Sequence, residues 1–152
     1  MQISAGLLLY RVREDVIEFL LAHPGGPFFA KKDEGYWGIP KGLVNDKEDL
    51  LDAAKREFEE ETGIKPEGMF EPIGSITQTG GKIVHGWAFK GDCDTSKVSS
   101  NTFAIEWPPK SGTIQKFPEV DRIEFFNFES ASHKIKPAQL PFLERALALK
   151  NK

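Results

Sequence analysis

The sequence has little cysteine and no long hydrophobic run. Its 152 residues include one cysteine, Cys93, so no disulfide bond can form within the chain. Because disulfides are typical of oxidising compartments, this favours a cytoplasmic location. No stretch approaches the roughly 18 apolar residues of a transmembrane helix, which argues against a membrane protein. The apolar run from Ala5 to Tyr10 is too short for a signal peptide, and we expect it to form a core strand.

The sequence also lacks an excess of basic residues. Lys and Arg number 20, against 23 Asp and Glu, and the formal net charge is −3. General nucleic-acid-binding proteins are usually basic, so we expect no nucleic-acid partner. An anionic small molecule remains possible when a metal ion mediates its binding. The length fits one domain over residues 1–152, and the sequence leaves open whether the chain is a monomer or a homodimer.

The hydrophobic pattern predicts strands combined with helices, which is an α/β fold with a mixed sheet. Strands are predicted at 3–13, 16–22, 69–78, 82–89, 103–107 and 122–126. Helices are predicted at 46–61, with Asp46 as N-cap and Gly63 just past its end, and at 137–149. Two loops, 23–42 and 106–121, are rich in Pro and Gly, and ordered loops of this length are often functional.

The first predicted helix carries three carboxylates close together. A helical wheel places Glu57 and Glu61 at the edge of the apolar stripe and Glu60 one step further round. That stripe consists of Leu50, Leu51, Ala54 and Phe58. Ionised carboxylates at a half-buried edge are costly unless they are compensated, and Arg56 cannot neutralise three of them.

Two interpretations of this cluster remain open. A divalent cation with oxygen ligands, Mg²⁺ or Mn²⁺, would compensate the carboxylates. Alternatively, the cluster is a solvated acidic helix face with surface ion pairs. The wheel places Glu59 and Lys55 on the solvated side, so Glu59 serves as an internal control for the metal hypothesis.

The stretch from Gly42 to Ile64 resembles the signature of the Nudix hydrolases. That family's pattern is Gly, five residues, Glu, seven residues, Arg-Glu, an apolar residue, any residue, Glu-Glu, any residue, Gly and an apolar residue. Here every specified position matches: Gly42, Glu48, Arg56-Glu57-Phe58, Glu60-Glu61 and Gly63-Ile64. The resemblance implies the Nudix fold, an α/β/α sandwich around a mixed sheet. It also implies hydrolysis of a nucleoside diphosphate linked to another moiety, by attack of water on phosphorus.

The resemblance also implies roles for the matching residues. It indicates Glu57, Glu60, Glu61 and the Gly42 carbonyl as metal ligands, and Arg56 as the residue that orients the catalytic carboxylates. Glu48 resembles a position that is more often structural. The general base is left open between Glu57, Glu61 and a loop carboxylate, for which Glu119 is the candidate. For Glu119 the alternative is an ordinary exposed loop residue.

Three further residues are candidate substrate contacts. Lys41, in the segment WGIPKG, is placed to meet a substrate phosphate as a point charge, although a solvated lysine is the alternative. Lys82 and His85 follow the turn predicted at Gly80-Gly81 and would lie beside the site, but a strand histidine is more often a satisfied polar residue. The same applies to His23, and we expect Trp37 in the core.

The resemblance leaves several substrates open. The PKG tripeptide resembles the diadenosine tetraphosphate hydrolase branch, which makes diadenosine tetraphosphate the first candidate. Segments 20–42 and 103–112 resemble a bacterial subgroup of predicted NTP pyrophosphohydrolases, so nucleoside or deoxynucleoside triphosphates, including oxidised ones, are the alternative. A non-catalytic nucleotide sensor is the alternative of another class, and the acidic charge argues against removal of 5′ phosphates from RNA.

Overall fold

Eight strands and three helices form the described part of the chain, residues 2–150 of the computed structural model. The strands are β1 (Ile3–Arg13), β2 (Val16–Pro24), β3 (Lys41–Leu43), β4 (Glu71–Gln78), β5 (Lys82–Lys90), β6 (Thr102–Glu106), β7 (Ile114–Pro118) and β8 (Val120–Asn127). The helices are α1 (Leu50–Thr62), α2 (Phe128–Lys134) and α3 (Leu140–Lys150). Residues 1, 151 and 152 of the predicted domain lie outside the described residues.

The main sheet has the order β4-β5-β1-β2-β8, and β3 also pairs with β1. Strand β1 runs parallel to β5 and antiparallel to β2 and β3, so the sheet is mixed as predicted. Along one edge β1 changes partner: Ser4 to Gly6 pair with β3, whereas Tyr10 to Arg13 pair with β2. Between these pairings, the Leu7 amide donates to the Pro40 carbonyl at 3.2 Å. The segment leading to Gly42 is therefore attached to the centre of the sheet.

Both faces of the sheet are covered by helices. Successive side chains of β1 point to opposite faces, so this strand contributes to a buried cluster on each side. Leu7 and Leu9 belong to one buried cluster with Ala54 and Phe58 of α1, whereas Leu8 belongs to the other. The cluster on Leu8's side includes buried residues of α2 and α3: Ala131, Phe142, Leu143 and Ala146. This arrangement confirms the predicted α/β/α sandwich.

Helix α1 begins later than predicted. Asp49, not Asp46, is the N-cap, and its carboxylate accepts from the Asp52 amide at 3.1 Å. The preceding residues form a turn in which Lys47 has a positive φ of 64°, which is incompatible with a helix. At the other end Gly63 has φ 77° and its amide donates to the Glu59 carbonyl, as expected for the residue after a helix.

The buried face of α1 also differs slightly from the wheel. Its buried residues are Ala53, Ala54, Phe58 and Thr62. Leu50 and Leu51, in the first turn of the helix, are only half-buried. Lys55, expected on the solvated side, is half-buried with its ammonium 4.6 Å from the centre of the Phe70 ring. Glu59 is exposed as predicted.

The two predicted loops contain regular structure. Strand β3 lies at the end of the first loop, and β7 lies in the second, where it pairs with β6 as a separate two-stranded ribbon. Helix α2, capped by the Asn127 side chain, was not predicted, and the last helix starts at Leu140 after a 3₁₀ turn at Pro137–Gln139. None of the helices within residues 2–150 has the length and apolar character needed to cross a bilayer.

Two buried side chains agree with their sequence interpretation. Trp37 is in the core with 1% of its surface exposed. His23 is fully buried, and its ring nitrogens lie 2.7 Å from Asp121 Oδ1 and 2.6 Å from the Lys32 carbonyl oxygen. Both are therefore structural residues.

Candidate active site

Helix α1 lies against β3 so closely that Gly42 and Glu57 are in contact. A Cβ atom added at Gly42 would lie 2.0 Å from Glu57 Oε2 and 2.1 Å from its Cδ, far inside contact distance. Only glycine leaves room for the carboxylate at this position. Two residues predicted to bind the metal, Gly42 through its backbone and Glu57 through its side chain, are therefore adjacent.

Arg56 holds most of the acidic side chains around this contact. Its Nη1 donates to Glu57 Oε1 at 2.7 Å and to Glu60 Oε2 at 3.1 Å. Its Nε and Nη2 donate to the two oxygens of Glu48 at 2.9 and 3.0 Å, and Nη2 also donates to the Leu43 carbonyl. Arg56 therefore donates hydrogen bonds to three carboxylates, those of Glu48, Glu57 and Glu60. Glu48, half-buried and held by Arg56, occupies a structural position.

Glu61 lies outside the reach of Arg56. Its Oε1 accepts from the Lys41 backbone amide at 3.2 Å. Burial raises the pKa of Glu61 to about 8, and the negative charges of Glu57 and Glu119 act in the same direction against the Lys41 amide and ammonium. Burial likewise raises the pKa of Glu57, opposed by its hydrogen bond to Arg56. For both carboxylates, burial outweighs the compensation that the neighbouring donors supply to the negative form.

The oxygen atoms that this site offers are of the kind that binds a divalent metal ion. Within residues 2–150, no three His, Cys, Asp or Glu side chains already converge as a metal-binding group, and Arg56 donates hydrogen bonds to Glu57 and Glu60. The poorly compensated Glu57 and Glu61 and the adjacent Gly42 backbone nevertheless offer the hard oxygen ligands that Mg²⁺ and Mn²⁺ prefer.

A cavity of about 110 Å³ opens beside Glu61. Its polar wall consists of Tyr36, Lys41, Glu61, Glu119, Lys136 and Gln139. Burial lowers the pKa of the Lys41 and Lys136 ammonium groups, and Lys82 lowers both further by repulsion while Glu61 opposes the shift. Three lysines are therefore close enough to act on one another next to a carboxylate, which is a suitable environment for a polyanion.

The structure brings together most of the predicted site residues. Glu119, although exposed, lies at the rim of the cavity, where its charge acts on Glu57 and Glu61. Lys82 is exposed and contributes charge from the end of the β4–β5 hairpin. His85 is half-buried on the α1 side of the sheet, opposite Ser75 and Ala5, and does not line this cavity.

Sequence reasoning missed three residues of the cavity, Tyr36, Lys136 and Gln139. Lys136 precedes Pro137 in the connection to the last helix, and a lone lysine there has no distinguishing pattern. Gln139 is fully buried, which is unusual for a polar side chain and is explained only by its partners in the fold. Tyr36 lies in the predicted loop 23–42, and no pattern in the sequence marks it as a site residue.

Comparisons with known proteins bear on the family and the fold of this chain. The family model of the NUDIX domain matches residues 1–146. Nudix hydrolase 7 of Arabidopsis thaliana is 37% identical over 62 residues, which cover 41% of this chain and 21% of that protein. The match thus spans about a fifth of the length of that relative.

Solved structures share the fold over nearly the whole chain. An Ap4A hydrolase of C. elegans, in a binary complex, superposes with a TM-score of 0.71 at 23% identity, covering 97% of this chain and 98% of that one. The NUDIX domain of Shewanella oneidensis NrtR, in complex with ADP ribose, superposes with a TM-score of 0.66 at 14% identity, covering 97% and 87%. At these identities the similarity shows a common fold and leaves the substrate to be argued from the site.

Proposed function

The chain belongs to the NUDIX domain family, and on this basis we propose that it is a metal-dependent pyrophosphohydrolase acting on a nucleoside diphosphate-linked substrate. One observation carries the proposal. Two half-buried carboxylates, Glu57 and Glu61, have raised pKa values, and Glu61 lines a cavity together with Lys41 and Lys136. This combination suits a bound cation on one side and a phosphate chain on the other.

Glu57, Glu60, Glu61 and the Gly42 carbonyl would hold the metal ion, which would be Mg²⁺ or Mn²⁺. When bound, it neutralises phosphate charge and makes water a better nucleophile. Arg56 keeps its hydrogen bonds to Glu48 and thereby holds the helix-borne carboxylates in orientation. Gly42 supports this geometry, since any larger residue would displace Glu57.

The remaining residues bind phosphate and move the proton. The ammonium groups of Lys41, Lys82 and Lys136 hold the non-reacting phosphates, which positions one phosphorus near the carboxylates. A carboxylate oxygen accepts the proton of the attacking water. Glu119 is a candidate for this base because its side chain stands at the rim of the cavity, and Glu57 and Glu61 are the alternatives.

Diadenosine tetraphosphate is the first substrate candidate. The PKG tripeptide at residues 40–42 supports it, and three interacting lysines suit a long phosphate chain. Nucleoside and deoxynucleoside triphosphates, including oxidised ones, are the alternative because the same lysines also fit three phosphates. A non-catalytic nucleotide sensor is disfavoured because all the Nudix-pattern carboxylates are present.

Product chromatography tests the proposal. The purified protein is incubated with Mg²⁺ and diadenosine tetraphosphate, ADP-ribose, NADH, NTPs or 8-oxo-dGTP. ATP plus AMP would identify a dinucleoside tetraphosphatase, whereas NMP plus pyrophosphate would identify a triphosphate pyrophosphohydrolase. The variant Glu61→Gln should be inactive and the matched variant Glu59→Gln active. Tight Mg²⁺ binding without turnover of any compound would refute the enzymatic proposal in favour of the sensor.

A further inference from the structure

A second cavity adjoins the candidate active site, and the side chains of Tyr36 and Lys136 line both. It measures about 410 Å³, within the roughly 300–1,000 Å³ typical of small-molecule sites. Its other walls include Phe29, Gln78, Thr79 and Pro137. A ligand whose phosphates lie beside Lys136 therefore has room to extend into this second cavity.

One wall of the second cavity is aromatic. The ring centres of Phe29 and Tyr36 are 6.1 Å apart, and 37% of the Phe29 surface is exposed. Exposed aromatic faces offer a planar heterocycle a surface for stacking that tolerates different bases. Pro137 adds a further apolar surface to the lining of this cavity. These walls favour a flat, partly apolar group over another phosphate.

Gln78 is a polar residue of the second cavity, and a backbone amide fixes which way the hydrogen bonds leading to it run. The amide N–H of Ile39 can only donate, and it donates to Gln139 Oε1 at 2.9 Å. The Nε2 of the fully buried Gln139 must then face the other way, and it donates to Gln78 Oε1 at 2.9 Å. This order leaves the Gln78 Nε2 donor group unused by Gln139, because an amide offers one acceptor and one donor group. None of the hydrogen bonds found among residues 2–150 uses that nitrogen.

We propose that the second cavity binds the base of the nucleotide substrate, with Gln78 Nε2 donating a hydrogen bond to an acceptor on the base. Gln139 is the positioning residue that fixes the direction of this amide. The inference rests on the proposed function in so far as the ligand is a nucleotide. It adds a location for the nucleoside end, which the Nudix pattern itself does not give.

Calorimetric titration with nucleoside monophosphates separates this inference from catalysis. AMP, GMP, CMP and UMP contain no phosphoanhydride bond to hydrolyse, and inorganic phosphate is the ligand without a base. In the presence of Mg²⁺, at least one monophosphate should bind at least about tenfold more tightly than phosphate, as expected when a base stacks and is hydrogen-bonded.

Two variants of the second cavity and one control test the contacts. Phe29→Ala and Gln78→Met should each weaken monophosphate binding by about fivefold or more and leave phosphate binding unchanged, because neither alters a charge. Gln115→Met, the same change on the exposed strand β7, should leave both affinities unchanged. The double variant Gln78→Met/Gln139→Met should bind monophosphates no more weakly than Gln139→Met alone, if Gln139 acts through Gln78.

Each result decides a separate question. Equal affinities for phosphate and for all four monophosphates, or unchanged affinities in both cavity variants, would overturn the base site. Absence of any monophosphate binding would overturn it as well. Selective binding that depends on Gln78, in a protein that hydrolyses none of the panel, would leave the base site standing and remove the proposed hydrolase activity.

Discussion

Neutralising Glu61 should stabilise the metal-free protein. Burial raises the pKa of Glu61 from an ordinary value of 4.5 to about 8, so the folded protein holds a proton that the unfolded chain releases. Below about pH 4.5 this carboxyl group is protonated in both states and does not lower the free energy of unfolding. As the pH rises toward 8, the free energy of unfolding falls, because the unfolded chain releases the proton first. At pH 7 this difference corresponds to a penalty of about 3 kcal/mol, an upper limit because solvent partly reaches the side chain.

The variant Glu61→Gln removes this penalty and keeps the oxygen that accepts from the Lys41 amide. Urea denaturation in EDTA at pH 7 should show the variant to be more stable than the wild type by about 1–3 kcal/mol, and the difference should shrink toward pH 5. Added Mg²⁺ should stabilise the wild type more than the variant, since binding to the folded state alone raises stability.

The exposed Glu59 supplies the control for this experiment. Glu59→Gln should change stability by no more than about 0.5 kcal/mol at either pH. A Glu61→Gln protein that is less stable than the wild type in EDTA at pH 7 would refute the reasoning. A gain that did not vary between pH 5 and pH 8 would refute it too, because only ionisation of the carboxylate gives that dependence.

Three further predictions concern activity and stability. Glu57→Gln should lower kcat with Mg²⁺ by at least about 100-fold whereas Glu59→Gln keeps kcat within about twofold, and equal losses in both would contradict the assignment of faces on α1. Gly42→Ala should destabilise the protein by about 1–3 kcal/mol in urea denaturation, since its Cβ would overlap Glu57, and a neutral result would show that α1 and β3 can move apart. Glu119→Gln should remove the acidic limb of the pH–rate profile if Glu119 is the base, and an unchanged limb would leave that role to Glu57 or Glu61.

Much of the fold was predictable because its signals are local. Strand β1 and the start of β2 have long apolar patterns interrupted by a charged turn, and the structure places them at the predicted residues. The helix with the clustered carboxylates was predicted for the same reason. Its first residue was wrong because Asp46 and Asp49 are equally good capping residues, and only the turn made by Asn45 and Glu48 in the fold chooses between them.

Elements without a strong local pattern were not predictable. Strand β7 is almost wholly exposed and, within residues 2–150, pairs only with β6, so its sequence shows no buried alternation. Helix α2 has seven residues, too short for a helical period to stand out. In the same way, Glu57 and Glu61 were found from their spacing on one helix, whereas Lys136 and Gln139 reach the site only through tertiary contacts.

The walls of the first cavity come from distant parts of the chain, and this has a consequence for folding. Lys41, Glu61, Glu119 and Lys136 are supplied by β3, α1, the β7–β8 connection and the segment after α2. Pairing of β1 with β5 must also bring together residues that are 80 positions apart in the sequence, such as Ile3 and Ile83, and such long-range contacts form slowly. Isolated helices as short as α1 are marginal in water. A peptide carrying only residues 42–64 would therefore hold the whole signature and still form no binding site, which arises only when the complete chain has folded.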